Sequence, residues 1–482
     1  MMRTSVLFML ILLSGQILSG CFGGDEPEKI IEDINPIDDL LTNTTWYHYA
    51  GGVNANDLNI GFDNLTGNNT PYAAIGTYYG IGGTTFEPTI GVTSTGGIHF
   101  SSYGGTGSGT MVYTSMDQGQ TWTNMGPFNP ILPDIGQVPS SNDPYIYVDK
   151  WTDRVYKFDM HALTAMFVEY SDDDGQTWSI PFSADGYYSP QDHQSIASMP
   201  DVDGGGFYET ITVFCINTGS SALGPQCSRS LDGGHTWDVQ RPGYPVGIAQ
   251  CSGLHGHLAG SNDGAIYRGN PSCEGPAIYR SVDGGYTWTE HTITTNVPMQ
   301  DGWHSHEVAV GTDEAGNVFA SWISMDQMPW MAYSRDQGNT WSEPMMVAPP
   351  GVNETGFPTI FAGDEGRVVV GYIGEMDDNG GWAGYMSVMT DAFSENPLIT
   401  TVAVNLPNDP LDTTDDCGNV RCGGFGDFID VEIDDEGRPW IALAHNVLGQ
   451  HGIVGTWVTG PSLYGNITQL PTIAAGGPST IN

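Results

Sequence analysis

Residues 115–122 read Ser115-Met116-Asp117-Gln118-Gly119-Gln120-Thr121-Trp122, and the same Ser-x-Asp-x-Gly-x-Thr-Trp pattern returns at 171–178, 230–237, 281–288 and 334–341. Successive copies lie 56, 59, 51 and 53 residues apart. Self-similarity at a period of about 50 residues means a stacked or radial repeat fold, because one such unit cannot bury its apolar faces alone. Each position in the pattern has a mechanical job. Asp117, Asp173, Asp232, Asp283 and Asp336, with the serines two residues before them, can bond the amides of a tight turn. The glycine accepts positive φ, and the tryptophan packs between sheets.

The chain between boxes supplies the rest of the unit. Residues 307–341 show it well: Val308 to Val310, the turn Asp313-Glu314-Ala315-Gly316, Val318 to Trp322, a loop, Trp330 to Tyr333, then the box. Strand, hairpin, strand, loop, strand, box turn and strand make a four-stranded propeller blade. Aligning the first hairpins gives equivalent starts at Glu87, Asp143, His193, His255, His306, Phe357 and Phe428. The last two units lack a box but keep the turns Asp364-Glu-Gly-Arg367 and Asp434-Asp-Glu-Gly-Arg438, and Tyr385 to Phe393 reads as a decayed box. The expected fold is therefore an all-β propeller of seven four-stranded blades, or six if the last unit is an appendage. A strand within 46–61 or 71–79 is expected to close the ring. Residues 45–462 form the propeller in this reading, and the Gly/Pro/Thr-rich segment 463–482 is a disordered tail.

The boxes resemble the Asp box, or bacterial neuraminidase repeat, of sialidase-like propellers. That resemblance implies a fold more than an activity, since the box is a structural turn in a fold with many functions. Sialidases grip a substrate carboxylate with three arginines and use a tyrosine nucleophile assisted by glutamate, with an aspartate as acid/base. The Arg-Ile-Pro segment that the family carries before its first box is absent here, and Phe86-Glu87-Pro88 stands near its place. Of the ten arginines, sorting by expected face leaves Arg241, Arg268 and Arg421 as substrate-binding candidates.

The N-terminus resembles that of prokaryotic lipoproteins: Arg3, an apolar run from Ser5 to Ile17, then Leu18-Ser19-Gly20-Cys21. The resemblance implies a signal peptide over 1–20, lipidation of Cys21, an acidic tether over 21–44, and an exported chain anchored to the outer face of the cytoplasmic membrane or the cell surface. In an oxidising compartment the close pairs Cys215 with Cys227, Cys251 with Cys273 and Cys417 with Cys422 are expected as disulfides. The formal net charge of −43, from 56 acidic and 13 basic side chains, would repel phosphate backbones and speaks against nucleic acid. A monomer facing glycan or glycoprotein is the expected arrangement.

Loops on the face where the inner strands start are expected to carry function. Asp143, His193, His255, His306 and Glu307 fall there and are the catalytic candidates. Three imidazoles, His193, His255 and His306, could hold a divalent metal such as zinc or serve as acid and base. Alternatively, they bond amides of the adjacent blade and close the ring. Tyr187, Tyr188, Tyr244, Trp303 and Trp382 lie in the same loops and suit stacking on sugar rings, or else pack between blades. The functional expectation is glycan recognition at the central channel. The alternatives are a glycoside hydrolase or lyase working through the histidine and carboxylate cluster, and a protein-binding scaffold in envelope assembly.

Overall fold

Alternating apolar and polar residues between turn signals give 29 strands among the described residues of the computed structural model. The described residues are 46–50, 74–103, 108–128, 131, 141, 143–184, 190–218, 224–245, 254, 256–300, 307–349, 351–376, 381–395, 397–405, 409–412, 424–447 and 450–476. The strands form seven antiparallel sheets, and these are the seven blades of a propeller. The blades span residues 90–124, 144–183, 191–242, 258–292, 309–346, 352–403 and 430–459, numbered here 1 to 7. The six-blade alternative is excluded, because the last unit is a full blade. Among the described residues no helix is long and apolar enough to cross a membrane.

The innermost strands, Ile90–Val92, Pro144–Val148, Gln191–Pro200, Leu258–Gly260, Ala309–Thr312, Val352–Ala362 and Asp430–Ile433, follow one another around a closed ring. Side chains stitch neighbouring blades by accepting bonds from amides of the next one. The Ile146 amide donates to Thr89 Oγ1 at 2.8 Å, Leu258 to Ser195 Oγ at 2.8 Å, and Ile90 to Asp430 Oδ2 at 3.1 Å. The last of these joins blade 7 to blade 1. Ile75–Gly80 adds the outermost strand to blade 7, pairing antiparallel with Gln450–Thr459, so the ring is locked by chain from both ends. Of the two segments expected to close it, the second does so. The first, Trp46–Ala50, lies on blade 6 as a fifth strand beside Leu398–Ala403.

The core lies between blades. Phe100 and Ile98 of blade 1 meet Trp440 and Val454 of blade 7, and Phe319 and Met331 of blade 5 meet Val368 and Tyr372 of blade 6. Each such fully buried side chain contributes about 1.5–3 kcal/mol, and the wedge shape of the gaps makes sheet stacking curl into a ring.

The five boxes do what their residues imply. In the first, Asp117 accepts from the Thr121 amide at 2.8 Å and the Thr121 hydroxyl at 2.7 Å, while Ser115 Oγ accepts from the Gly119 amide at 2.9 Å. Gly119 sits at φ +82°, a left-handed conformation that a side chain would strain. In blade 6 the decayed box keeps one function, with Asp391 accepting from the Leu398 amide at 2.9 Å.

One expectation is adjusted. The segment after 462, expected to be disordered, runs on against the propeller through Gly476: Leu463 and Leu470 are buried, Ile473 bonds the Val458 carbonyl, and the Gly476 amide donates to Thr77 Oγ1. Its apolar residues are few but land in gaps at the edge of blade 7. Of the disulfides, Cys215–Cys227 bridges two neighbouring strands of blade 3. Cys273 is disulfide-bonded, and Cys251, Cys417 and Cys422 lie outside the described residues. So do Cys21, the signal segment and the tether.

Candidate functional site

Three of the aligned blade starts share an unusual backbone. Glu87, His193 and Phe357 have φ values of +53°, +57° and +51°, a region that non-glycine residues rarely occupy. At His193 and near Phe357 the ladder register slips, giving bulges between Asp192 and Gln194 and between Gly356 and Thr359. A bulge re-aims one side chain, and at a propeller's inner strand that aim is toward the axis. Strain of this kind collects at functional sites.

His193 is 1 % exposed. Its Nε2 stands 3.3 Å from Glu307 Oε2 of the blade 5 start, and its Nδ1 stands 3.8 Å from Asp427 Oδ2, just ahead of blade 7. Burial opposes charge on the ring, but Asp427 and Glu307 overcome it and hold the imidazole well above its ordinary pKa. Carboxylates offer only acceptors, so the Nε2 contact places a proton on that nitrogen, and the raised pKa favours the charged ring. His193 is an imidazolium clamped between blades 5 and 7.

Phe428, fully buried, forms the hub of this end of the channel. His193, His257 and Tyr145, from blades 3, 4 and 2, meet its ring edge to face at centroid distances of 5.2, 4.8 and 5.9 Å. His257 Nδ1 donates to Asp430 Oδ1 at 3.1 Å, and Asp430 also accepts from the amides of Val431 and Ile90. Burial, with the charges of Asp430 and Glu307 behind it, pushes the Tyr145 phenol up, so the phenol stays neutral. Asp143 and Glu87 are buried at the same rim. Gly426, at φ +62°, leaves room for Glu87, whose Cγ would lie 2.1 Å from any added Cβ. Below the rim the channel encloses a cavity of about 90 Å³, walled by Tyr145, His257, Glu307 and Asp430 and by apolar side chains such as Ile90, Ile196 and Val431. At its other end Lys150 of blade 2 reaches across to Glu314 of blade 5 at 3.0 Å.

The structure thus brings together His193 and Glu307 of the catalytic candidates, while Asp143 is buried with its carbonyl accepting from Gln194 Nε2 at 3.3 Å. His255 and His306 lie outside the described residues, as do Tyr187, Tyr188, Trp303 and Arg421. The metal reading keeps only His193 among the described residues, and the Glu307 carboxylate already stands 3.3 Å from its Nε2. Among the described residues no group of three His, Cys, Asp or Glu side chains is arranged to hold a metal ion.

The two described arginine candidates do not reach the channel. Arg268 is 0 % exposed between blades 3 and 4, donating to Asn270 and to the Gly243 carbonyl over the Tyr279 ring, and burial lowers its pKa to about 10. It lies on the second strand of its blade, where alternation turns it into the gap between sheets. Arg241 sits on the outermost strand of blade 3, over the Tyr286 ring at 4.0 Å. Tyr244 and Trp382 are half-buried and pack against the cores of blades 3–4 and 6–7. Sequence reasoning passed over Asp427, Asp430 and Tyr145. For two of them a signal existed: Asp430 and Tyr145 each stand two residues beyond an aligned start, the spacing that returns a side chain to the same face of a strand.

No protein-family model and no curated protein matches the chain. Similar solved structures include a protein of unknown function from Dyadobacter fermentans, at 13% identity over 79% of this chain and 97% of that one, with a TM-score of 0.43. The Trypanosoma rangeli sialidase is 13% identical over 66% of this chain and 54% of its own, with a TM-score of 0.38. The GH74 xyloglucanase of Xanthomonas campestris is 15% identical over 64% and 46%, with a TM-score of 0.41. At these identities none of the three says what this chain binds.

Proposed function

We propose that the protein is an exported, lipid-anchored propeller that recognises glycans at the end of its channel where the inner strands begin. One observation carries the reading: ionisable side chains from blades 2, 3, 4, 5 and 7 converge on Phe428 and on a cavity beside it. Convergence of buried polar groups in a concave site is the usual mark of a ligand pocket. The same groups favour a second reading, a glycoside hydrolase or lyase, because Glu307 and Asp430 each stand beside a histidine that can relay or hold a proton. A scaffold role has less to recommend it. The exposed large apolar side chains, such as Met116, Ile180, Phe207, Val282 and Met325, are spread over blades 1 to 5.

The test is to screen the full chain, in detergent, against neutral, anionic and cationic oligosaccharides for binding and for cleavage. Binding that weakens at least about tenfold in Glu307→Gln supports the reading. Absence of any glycan ligand sinks it. Anchoring is checked separately: Cys21→Ser should release the protein from membranes, and retention in the membrane fraction would count against lipidation.

A further inference from the structure

The charge and the hydrogen-bonding capacity of the channel end go further than "glycan". Around Phe428 stand three carboxylates, Glu307 and Asp427 beside His193 and Asp430 beside His257. Among the described residues no arginine reaches this end, and Lys150, on the cavity's far wall, is already paired with Glu314. Among the described residues an anionic sugar would meet repulsion here and no guanidinium fork.

His257 adds a second, independent feature. Asp430 accepts from its Nδ1, which leaves Nε2 as the ring nitrogen with bonding capacity to spare. That Nε2 is buried and has no hydrogen-bond partner among the described residues. Leaving a buried polar nitrogen unmet is costly and calls for an explanation. Beside it stand the aromatic ring of Tyr145, at a centroid distance of 5.5 Å, and the Glu307 carboxylate in the wall of the same cavity. Carboxylates and an aromatic ring beside an unmet polar nitrogen suit a compact cation with N–H donors. The cavity of about 90 Å³ admits an amino group but not a sugar ring.

We propose that the channel end enclosed by Tyr145, His257, Glu307 and Asp430 takes a primary ammonium group, presented as the free amine of an amino sugar whose ring stays at the mouth. The sugar half of this statement rests on the glycan reading above; the ammonium half does not.

Titration calorimetry on the full-length protein in detergent at about pH 7 separates the two. The probes are a fully deacetylated glucosamine trisaccharide, its N-acetylated counterpart and methylammonium chloride, each against wild type and Glu307→Gln. The deacetylated sugar should bind at least about tenfold more tightly than the N-acetylated one, and Glu307→Gln should erase most of that preference. Equal or tighter binding of the N-acetylated sugar, or a preference untouched by Glu307→Gln, overturns the ammonium site and leaves the glycan reading standing. Binding of methylammonium with the same sensitivity to Glu307→Gln, without binding of either saccharide, keeps the ammonium site and removes the glycan. Silence from all three probes refutes both. Should Glu307→Gln fail to fold, the wild-type preference alone decides.

Discussion

His193→Gln removes a buried imidazolium from between Glu307 and Asp427. Breaking a buried ion pair by deleting one partner costs about 3–5 kcal/mol. The left-handed backbone at φ +57° stays, since glutamine tolerates it no better than histidine. For roughly 400 folded residues the entropy of unfolding is about 0.8 kcal/mol per kelvin, so a cost near 3 kcal/mol lowers Tm by about 3–4 °C.

The pH dependence carries the sharper signature. The folded-state pKa of His193 is raised above its unfolded value, which is about 6.5. Below that value both states bind the proton and the ion pair contributes in full. As pH rises beyond it the unfolded ring loses its proton while the folded one keeps it, so the contribution declines by about 1.4 kcal/mol per pH unit up to the folded pKa. The gap in Tm between wild type and His193→Gln is therefore widest near pH 6 and narrows by about 1.5–2 °C for each unit above 6.5. Differential scanning calorimetry of both proteins from about pH 6 to 8.5 reads it directly. A gap that is constant across that range would show that His193 is neutral in the folded protein, and a gap under about 1 °C at pH 6 would refute the clamp altogether.

Four further outcomes follow from the same geometry. Asp283→Ala deletes the acceptor of the Thr287 amide and hydroxyl, at 2.8 and 2.6 Å, and should cost about 2 kcal/mol in denaturant midpoint; an unchanged midpoint would mean the box turn holds without its carboxylate. Cys215→Ala with Cys227→Ala opens a loop of 12 residues and should lower stability by about 3 kcal/mol, measured under non-reducing conditions against the parent. Arg268→Met should alter thermal stability yet leave any oligosaccharide affinity within about twofold, because the guanidinium is sealed between blades; a large loss of affinity would return Arg268 to the site. Gly426→Ala drives a Cβ into Glu87 at a left-handed φ, and should destabilise by at least about 1–3 kcal/mol; a neutral outcome would show that the rim can yield.

What the chain alone determined is everything governed by near neighbours. The Asp117 and Thr121 contact spans four residues, and the first hairpins and alternating strands are equally local, so period and blade anatomy could be read directly, while seven blades were favoured over six and the Cys215–Cys227 bridge was expected from proximity alone. The aligned starts could be read too, and the matching left-handed backbones at Glu87, His193 and Phe357 bear out that alignment. Tertiary structure decided which starts meet. His193 and Glu307 are 114 residues apart and His257 and Asp430 are 173 apart, and only closure of the ring, with each bulge set to a residue, brings them within bonding distance. It also decided against Arg268, because a strand's two faces look alike in sequence until a neighbouring sheet buries one of them. Even the closing strand was ambiguous for this reason: 46–50 and 75–80 both read as edge strands, and only the register against Gln450–Thr459 selected the second.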